Sequence, residues 1–100
     1  MKDILQSLNN KAFDNRVRLG IMSMLMVNDW VEFTTFKEML DLSDGNLSSH
    51  ISTLEKENYI EVRKQFVAKK PQTSYTATIA GRKAFGEHLT ALENLLKNIP

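Results

Sequence analysis

Residues Ser43–Ile60 read S-D-G-N-L-S-S-H-I-S-T-L-E-K-E-N-Y-I. Leu47, Ile51 and Leu54 recur at spacings of four and three, which stacks them on one face of a helix. Ser43 supplies a hydroxyl for the free N–H groups of the first turn. Asn58 stands where the periodicity ends, and Asn tolerates the left-handed conformation common just past a helix. The other face carries Asn46, Ser48, Ser49, Ser52, Thr53 and Lys56, a row of short hydrogen-bonding side chains with one cation. Taken by itself, such a helix reads more readily as a solvated surface element. The segments on either side of it decide the matter.

Downstream, Tyr59–Val67 alternates as a strand does, with Ile60, Val62 and Phe66 on one face and Lys64 interrupting them. Residues 68–72 read as a polar turn in which Pro71 breaks pairing, and Thr73–Ala77 as the return strand. The result is a hairpin with Lys69 and Lys70 at its tip. Upstream, Thr35 and Glu38 have the spacing of a capping box, which predicts a two-turn helix with Phe36, Met39 and Leu40 inward. That helix meets the Ser43 helix across a short turn at Asp41-Leu42, the layout of a helix-turn-helix. Residues 30–33 are β-prone and short. Asp14 or Asn15 caps an earlier helix running to about Val27, with Val17, Ile21, Met24 and Leu25 inward and its methionines as core filler.

Thr78 caps a last helix from Ile79 towards Asn98, in which Gly81 and Gly86 are unfavourable unless a neighbour packs there. Phe85, Leu89, Leu92, Leu96 and Ile99 recur along it at 4, 3, 4, 3, a heptad seam. The N-terminal Ile4, Leu5 and Leu8 form a stripe too short to hold a helix alone. Both features predict a homodimer, with Leu5, Leu8, Phe85, Leu89, Leu92, Leu96 and Ile99 at its interface.

One hundred residues with 42% hydrophobic and 25% charged side chains is the composition of a single globular domain. No apolar run is long enough for a membrane span, and Met1–Asn10 lacks a signal-peptide core, so a cytoplasmic location without a membrane partner is expected. Without cysteine there is no disulfide or thiolate metal site. The net charge of +1 hides an asymmetry: residues 61–83 hold six basic side chains and one acid, while the remainder holds seven basic and eleven acidic. A local basic patch is the footprint of a phosphate contact.

In order and wording, the chain resembles the winged-helix regulators of the ArsR/MarR type. The stretches Leu42–Ile51 and Leu54–Ile60 are similar to their L-S-x-x-x-[VL]-S-x-H-[LI]-x-x-L-E-x-x-G-[LY]-[IV]. Arg18-Leu19 with Ile21 and Leu25 is similar to the R-L-x-I-L-x-x-L of their first core helix. Thr73–Thr78 with Gly81-Arg82 is similar to the T-x-Y-x-L-T-x-x-G-R that closes the wing. The wording D-G-N-L-S-S-H is that of the small stand-alone winged-helix family within this group. Three departures are plain: Asn58 for the usual Gly, Ala77 for a larger apolar residue, and no Arg or Lys on the recognition helix where guanine is often read.

The resemblance implies a mainly α (α+β) fold, a winged helix-turn-helix with a three-helix core, a hairpin wing and a long C-terminal dimerisation helix. One domain spans residues 1–100, with core and wing over 13–78 and dimerisation elements over 1–11 and 79–100. It implies a homodimeric DNA-binding transcriptional regulator whose partner is double-stranded DNA. The helix over 43–58 enters the major groove, presenting Asn46, Ser48, Ser49, Ser52, Thr53 and Lys56. The wing over 63–72 sets Arg63, Lys64, Lys69 and Lys70 on phosphates or the minor groove. His50 either contacts phosphate or packs on the first helix.

The alternative is a winged-helix protein-interaction module without sequence-specific DNA binding, favoured by the neutral recognition face. Catalysis is not expected, since no nucleophile sits beside a base and the two histidines lie in different elements. No cofactor is implied. His88 with Glu87 or Glu93 would make a metal site only if they converged; otherwise His88 is a solvated helix residue. The sequence names neither operator nor effector.

Overall fold

In the computed structural model the chain is described from Leu8 to Asn98, so Leu5 and Ile99 lie outside the described residues. After a 3-10 turn over Lys11–Phe13 come α1 (Arg16–Met26), β1 (Val31–Glu32), α2 (Phe33–Leu40), α3 (Asp44–Lys56), β2 (Ile60–Val67), β3 (Lys70–Ala77) and α4 (Ile79–Lys97). Asn15 caps α1, accepting from the N–H groups of Val17 and Arg18 at 2.8 and 3.3 Å. Ile21, Met22 and Leu25 of α1, Phe36 of α2, and Leu47, Ile51 and Leu54 of α3 close on one another, none more than 2% exposed. The fold is the expected winged helix-turn-helix.

The strands form an antiparallel sheet in the order β1-β3-β2. Val31 pairs with Tyr75 and Glu32 with Ser74, while the β2–β3 ladder runs from Ile60↔Ala77 to Val67↔Lys70. The wing turn is therefore tighter than the sequence suggests. Only Ala68 and Lys69 lie outside the strands, both left-handed, at φ 52° and 67°. Pro71 sits inside β3, opposite Phe66. It is tolerated because β1 reaches only Ser74 and Tyr75, leaving β3 with a free edge at that point. Of the β2 face expected to be apolar, Ile60 is 3% exposed but Val62 42% and Phe66 78%. Only the base of the hairpin reaches the core, and the rest stands out from it.

The capping box at Thr35 does not form. The chain leaves β1 directly into α2, whose cap, Glu32, makes no side-chain cap bond, and Thr35 falls within the helix. Met39, expected inward, is 70% exposed, because the inner face follows Phe36 and Leu40.

Aromatic packing ties the 3-10 turn and α4 to Tyr59, just past the end of α3. The Phe13 ring stacks on Tyr59 at 5.5 Å, meets the edge of Phe85 at 5.3 Å and lies 5.2 Å from His88. His88 is thus buried rather than a solvated helix residue, and its Nδ1 has no hydrogen-bond partner among the described residues. Thr78 caps α4, accepting from Gly81 N–H at 2.9 Å, and donates to the carbonyl of Asn58 at 2.7 Å.

Candidate nucleic-acid interface

The turn from α2 into α3 is built by backbone conformation. Asp41 is left-handed at φ 52°, and Leu42 N–H reaches back to Lys37 C=O at 3.0 Å, which satisfies the orphan carbonyls of α2. Ser43 then caps α3, accepting from Asn46 N–H at 3.2 Å, and Lys37 meets Asp44 at 2.8 Å across the turn. At the other end Asn58 is left-handed at φ 61° and Tyr59 N–H bonds to Leu54 C=O at 3.0 Å. Both ends of α3 are thereby fixed, which sets the rotation of its polar face.

That face is open. Asn46, Ser48, Ser49, Ser52 and Lys56 are exposed and Thr53 is half-buried. The Thr53 hydroxyl donates to Ser49 C=O at 3.2 Å, so it offers an outside partner only acceptor capacity. His50 lies at the edge of the face, half-buried, with Nδ1 2.9 Å from the Arg18 guanidinium of α1. Packing on the first helix is therefore the reading of His50 that the geometry supports. A guanidinium has only donors, so Nδ1 accepts and the ring proton is on Nε2. Burial, and secondarily the Arg18 charge, hold the imidazole pKa below its ordinary value, which favours this neutral form. Arg18 also donates to Ala12 C=O at 2.6 Å and Lys11 C=O at 3.3 Å, clamping α3 to α1 and the N-terminal turn.

The wing divides its cations. Successive strand residues point to opposite faces, so Arg63 and Lys64 part company. The Arg63 guanidinium lies 4.0 Å from the Trp30 ring centroid, a cation–π contact across the base of the wing. Lys64 shares its face with Val62 and Phe66. Lys69 occupies the turn and Lys70 opens β3, both exposed. Glu32 accepts from Gln72, which accepts from Gln65 at 3.1 Å, a chain of polar contacts across the three strands. Trp30, the single tryptophan, is marked by sequence only as part of a β-prone stub; its partner lies 33 positions away and is set by the sheet register. Among the described residues no three His, Asp or Glu side chains converge, so His88, Glu87 and Glu93 do not make a cluster.

At the other side of the molecule α4 faces two ways. Gly81, Phe85, His88 and Ala91 are buried against the chain's own core. Phe85, at 2% exposed, is accordingly part of that core and not of the outward seam. Leu89, Leu92 and Leu96 are 45%, 37% and 71% exposed, and among the described residues none after Ala91 is buried, Leu95 alone being half-buried. Leu8 is half-buried.

Comparison with known proteins places this geometry. A family model described as a winged helix DNA-binding domain matches residues 17–96. An uncharacterized protein of Methanocaldococcus jannaschii is 35% identical over 89 residues, covering 89% of this chain and 97% of that protein. A transcriptional regulator homologue of Pyrococcus horikoshii OT3 superposes with a TM-score of 0.88 at 30% identity, over 97% of this chain and 96% of that one. Bacillus subtilis PadR, solved with operator DNA, superposes with a TM-score of 0.63 over 71% of this chain and 45% of its own; at 15% identity it speaks for the fold alone.

Proposed function

The chain belongs to the winged helix DNA-binding domain family and is a DNA-binding transcriptional regulator, and we propose that it grips duplex DNA as a homodimer, with α3 in the major groove and the wing on the backbone and minor groove. The observation that carries this division is the contrast between two exposed surfaces. The α3 face offers Asn46, Ser48, Ser49 and Ser52, side chains that exchange hydrogen bonds with base edges and carry no charge. The wing offers Lys69 and Lys70 at a hairpin tip, and phosphates are the partners that suit them. His50 packs on the first helix through Nδ1, and its other ring nitrogen, Nε2–H, is the donor it would offer a phosphate at the groove edge. Arg63 is steadied over Trp30 on the wing base.

Dimerisation would use Leu89, Leu92 and Leu96, the free face of α4, with the N-terminal stripe of Leu5 and Leu8 and the C-terminal Ile99 extending it. The proposed activity has no catalytic step, needs no metal, and is exercised in the cytoplasm, where a regulator meets the chromosome. No helix of the described residues is long and apolar enough to cross a membrane.

Paired substitutions test the division. Lys69→Ala with Lys70→Ala should weaken binding to all DNA and flatten the slope of log K against log salt by about two units, roughly 0.9 for each lost phosphate contact. Ser49→Ala should leave the slope alone and narrow the gap between operator and random DNA by about 1 kcal/mol, the worth of one neutral hydrogen bond. Reversal of these effects would exchange the roles of wing and helix. A second reading, a protein-interaction module, is favoured by one observation: Lys56 is the only cation on the α3 face. It becomes the better account if neither variant alters DNA binding.

A further inference from the structure

Phe66 is left 78% exposed on a strand otherwise rich in charge, two positions before the two-residue turn of the wing. It is held there by a complete ladder and faces Pro71 across it, while Lys64 projects from the same face two residues back. Between Val62 and Thr73 the wing carries four cations, Arg63, Lys64, Lys69 and Lys70, and no acid. A rigid basic finger with one large apolar ring near its end fits a surface with dense anions flanking a flat apolar gap. Duplex DNA is such a surface: phosphates line the groove, and the gap opens between base pairs at a flexible step. A hairpin is also too wide for an undisturbed minor groove of about 6 Å, so entry requires the groove to open.

We propose that Phe66 is a wedge: the wing enters the minor groove, Phe66 inserts partly between two base pairs at a pyrimidine–purine step, and the DNA bends away from the wing. The inference rests on the DNA-binding reading above. It assigns the wing a deformation-based share of sequence preference that neither its lysines nor the α3 face supplies. Lys64, Lys69 and Lys70 then hold the phosphates on either side of the opened step.

The test uses a duplex recovered by wild-type selection from a random pool, carrying donor and acceptor dyes at its ends and 2-aminopurine substituted singly along it. Wild-type protein should shorten the end-to-end distance and raise 2-aminopurine fluorescence at one step in each half-site, where stacking is lost. Phe66→Ala should abolish both signals and weaken binding roughly tenfold, the worth of one base-stacking aromatic, with the salt slope unchanged because no ion contact is lost. Phe66→Leu, still an apolar wedge, should keep the bend. The ring is exposed, so the melting curves of both variants should match the wild type. If Phe66→Ala bends and unstacks the duplex as wild type does, or if wild type binds without bending, the wedge is overturned and DNA binding stands. If wild type binds no duplex from the pool, the DNA-binding reading falls and the wedge with it.

Discussion

A β-carbon on Gly81 would stand 2.1 Å from the carbonyl oxygen of Tyr59 and 2.9 Å from its carbonyl carbon. Both are backbone atoms, fixed by Asn58 in its left-handed turn and by the Thr78 N–H bond to that same carbonyl at 2.9 Å. Gly86, five residues on in the same helix, meets nothing within 4 Å. Gly81→Ala should therefore destabilise by about 3 kcal/mol or more, as severe overpacking does, while Gly86→Ala should stabilise by up to about 1 kcal/mol through helix propensity. Thermal melts of the two variants check this directly; equal effects would mean that α4 moves freely away from Tyr59. In sequence the two glycines look alike, since what separates them is a contact with a residue 22 positions earlier in the chain. His50 makes stability depend on pH. Its folded pKa lies below the ordinary value near 6.5, so the unfolded chain binds the proton more readily. The stability it contributes is present above pH 6.5 and is lost as pH falls through the lowered folded value. Melting temperature should drop more steeply below pH 6.5 in the wild type than in His50→Gln, whose side-chain oxygen still accepts from Arg18. Identical pH profiles would show that the Arg18 contact does not depend on the neutral ring.

Among the elements, α3 is the one the sequence discloses most fully. Its cap at Ser43, its buried Leu47, Ile51 and Leu54, and its stop at Asn58 all stand where the periodicity puts them. Local signals suffice there because cap, face and stop agree. They fail at α2, where a capping pattern at Thr35 yields to the pairing of β1 with β3, a tertiary constraint that no local window contains. They fail also at the wing turn, where Pro71 reads as a breaker but lies in a strand with a free edge. That turn yields a prediction of its own. Ala68 and Lys69 both hold positive φ, the geometry that Asn-Gly adopts without strain, at about 1 kcal/mol or more for each ordinary residue. Ala68→Asn with Lys69→Gly should slow amide hydrogen exchange along the β2–β3 ladder by roughly tenfold, the equivalent of about 1.4 kcal/mol. It should also flatten the salt dependence of DNA binding by about one unit, since one cation is gone. Unchanged exchange would show that the turn is not strained, or that the ladder opens from its base.

For the whole molecule, the question is what covers α4. Its inward stripe of Gly81, Phe85, His88 and Ala91 is already buried in this chain, which removes Phe85 from the seam read in the sequence. Heptad spacing alone could not make that distinction, because Phe85 and Leu89 satisfy the same period while one is buried in this chain's core and the other is exposed. What remains outward is Leu89, Leu92 and Leu96, on a helix whose described residues after Ala91 are exposed except for half-buried Leu95. Three leucines at helical spacing on a protruding helix favour an antiparallel or crossed pairing with a second copy. A two-fold dimer would present two copies of α3 to one face of the duplex, at a spacing near 34 Å if they are to meet successive major grooves. Leu92→Glu with Leu96→Glu should then convert a sedimenting dimer to a monomer and weaken operator binding far more than binding by a single half-site. The substitutions lie beyond the buried part of α4, so the monomer should keep its far-ultraviolet dichroism and its Trp30 emission. If the variant retains the wild-type mass, the interface lies elsewhere. If the wild type is a monomer at tens of micromolar, α4 is free for a different partner and the regulator meets DNA one copy at a time.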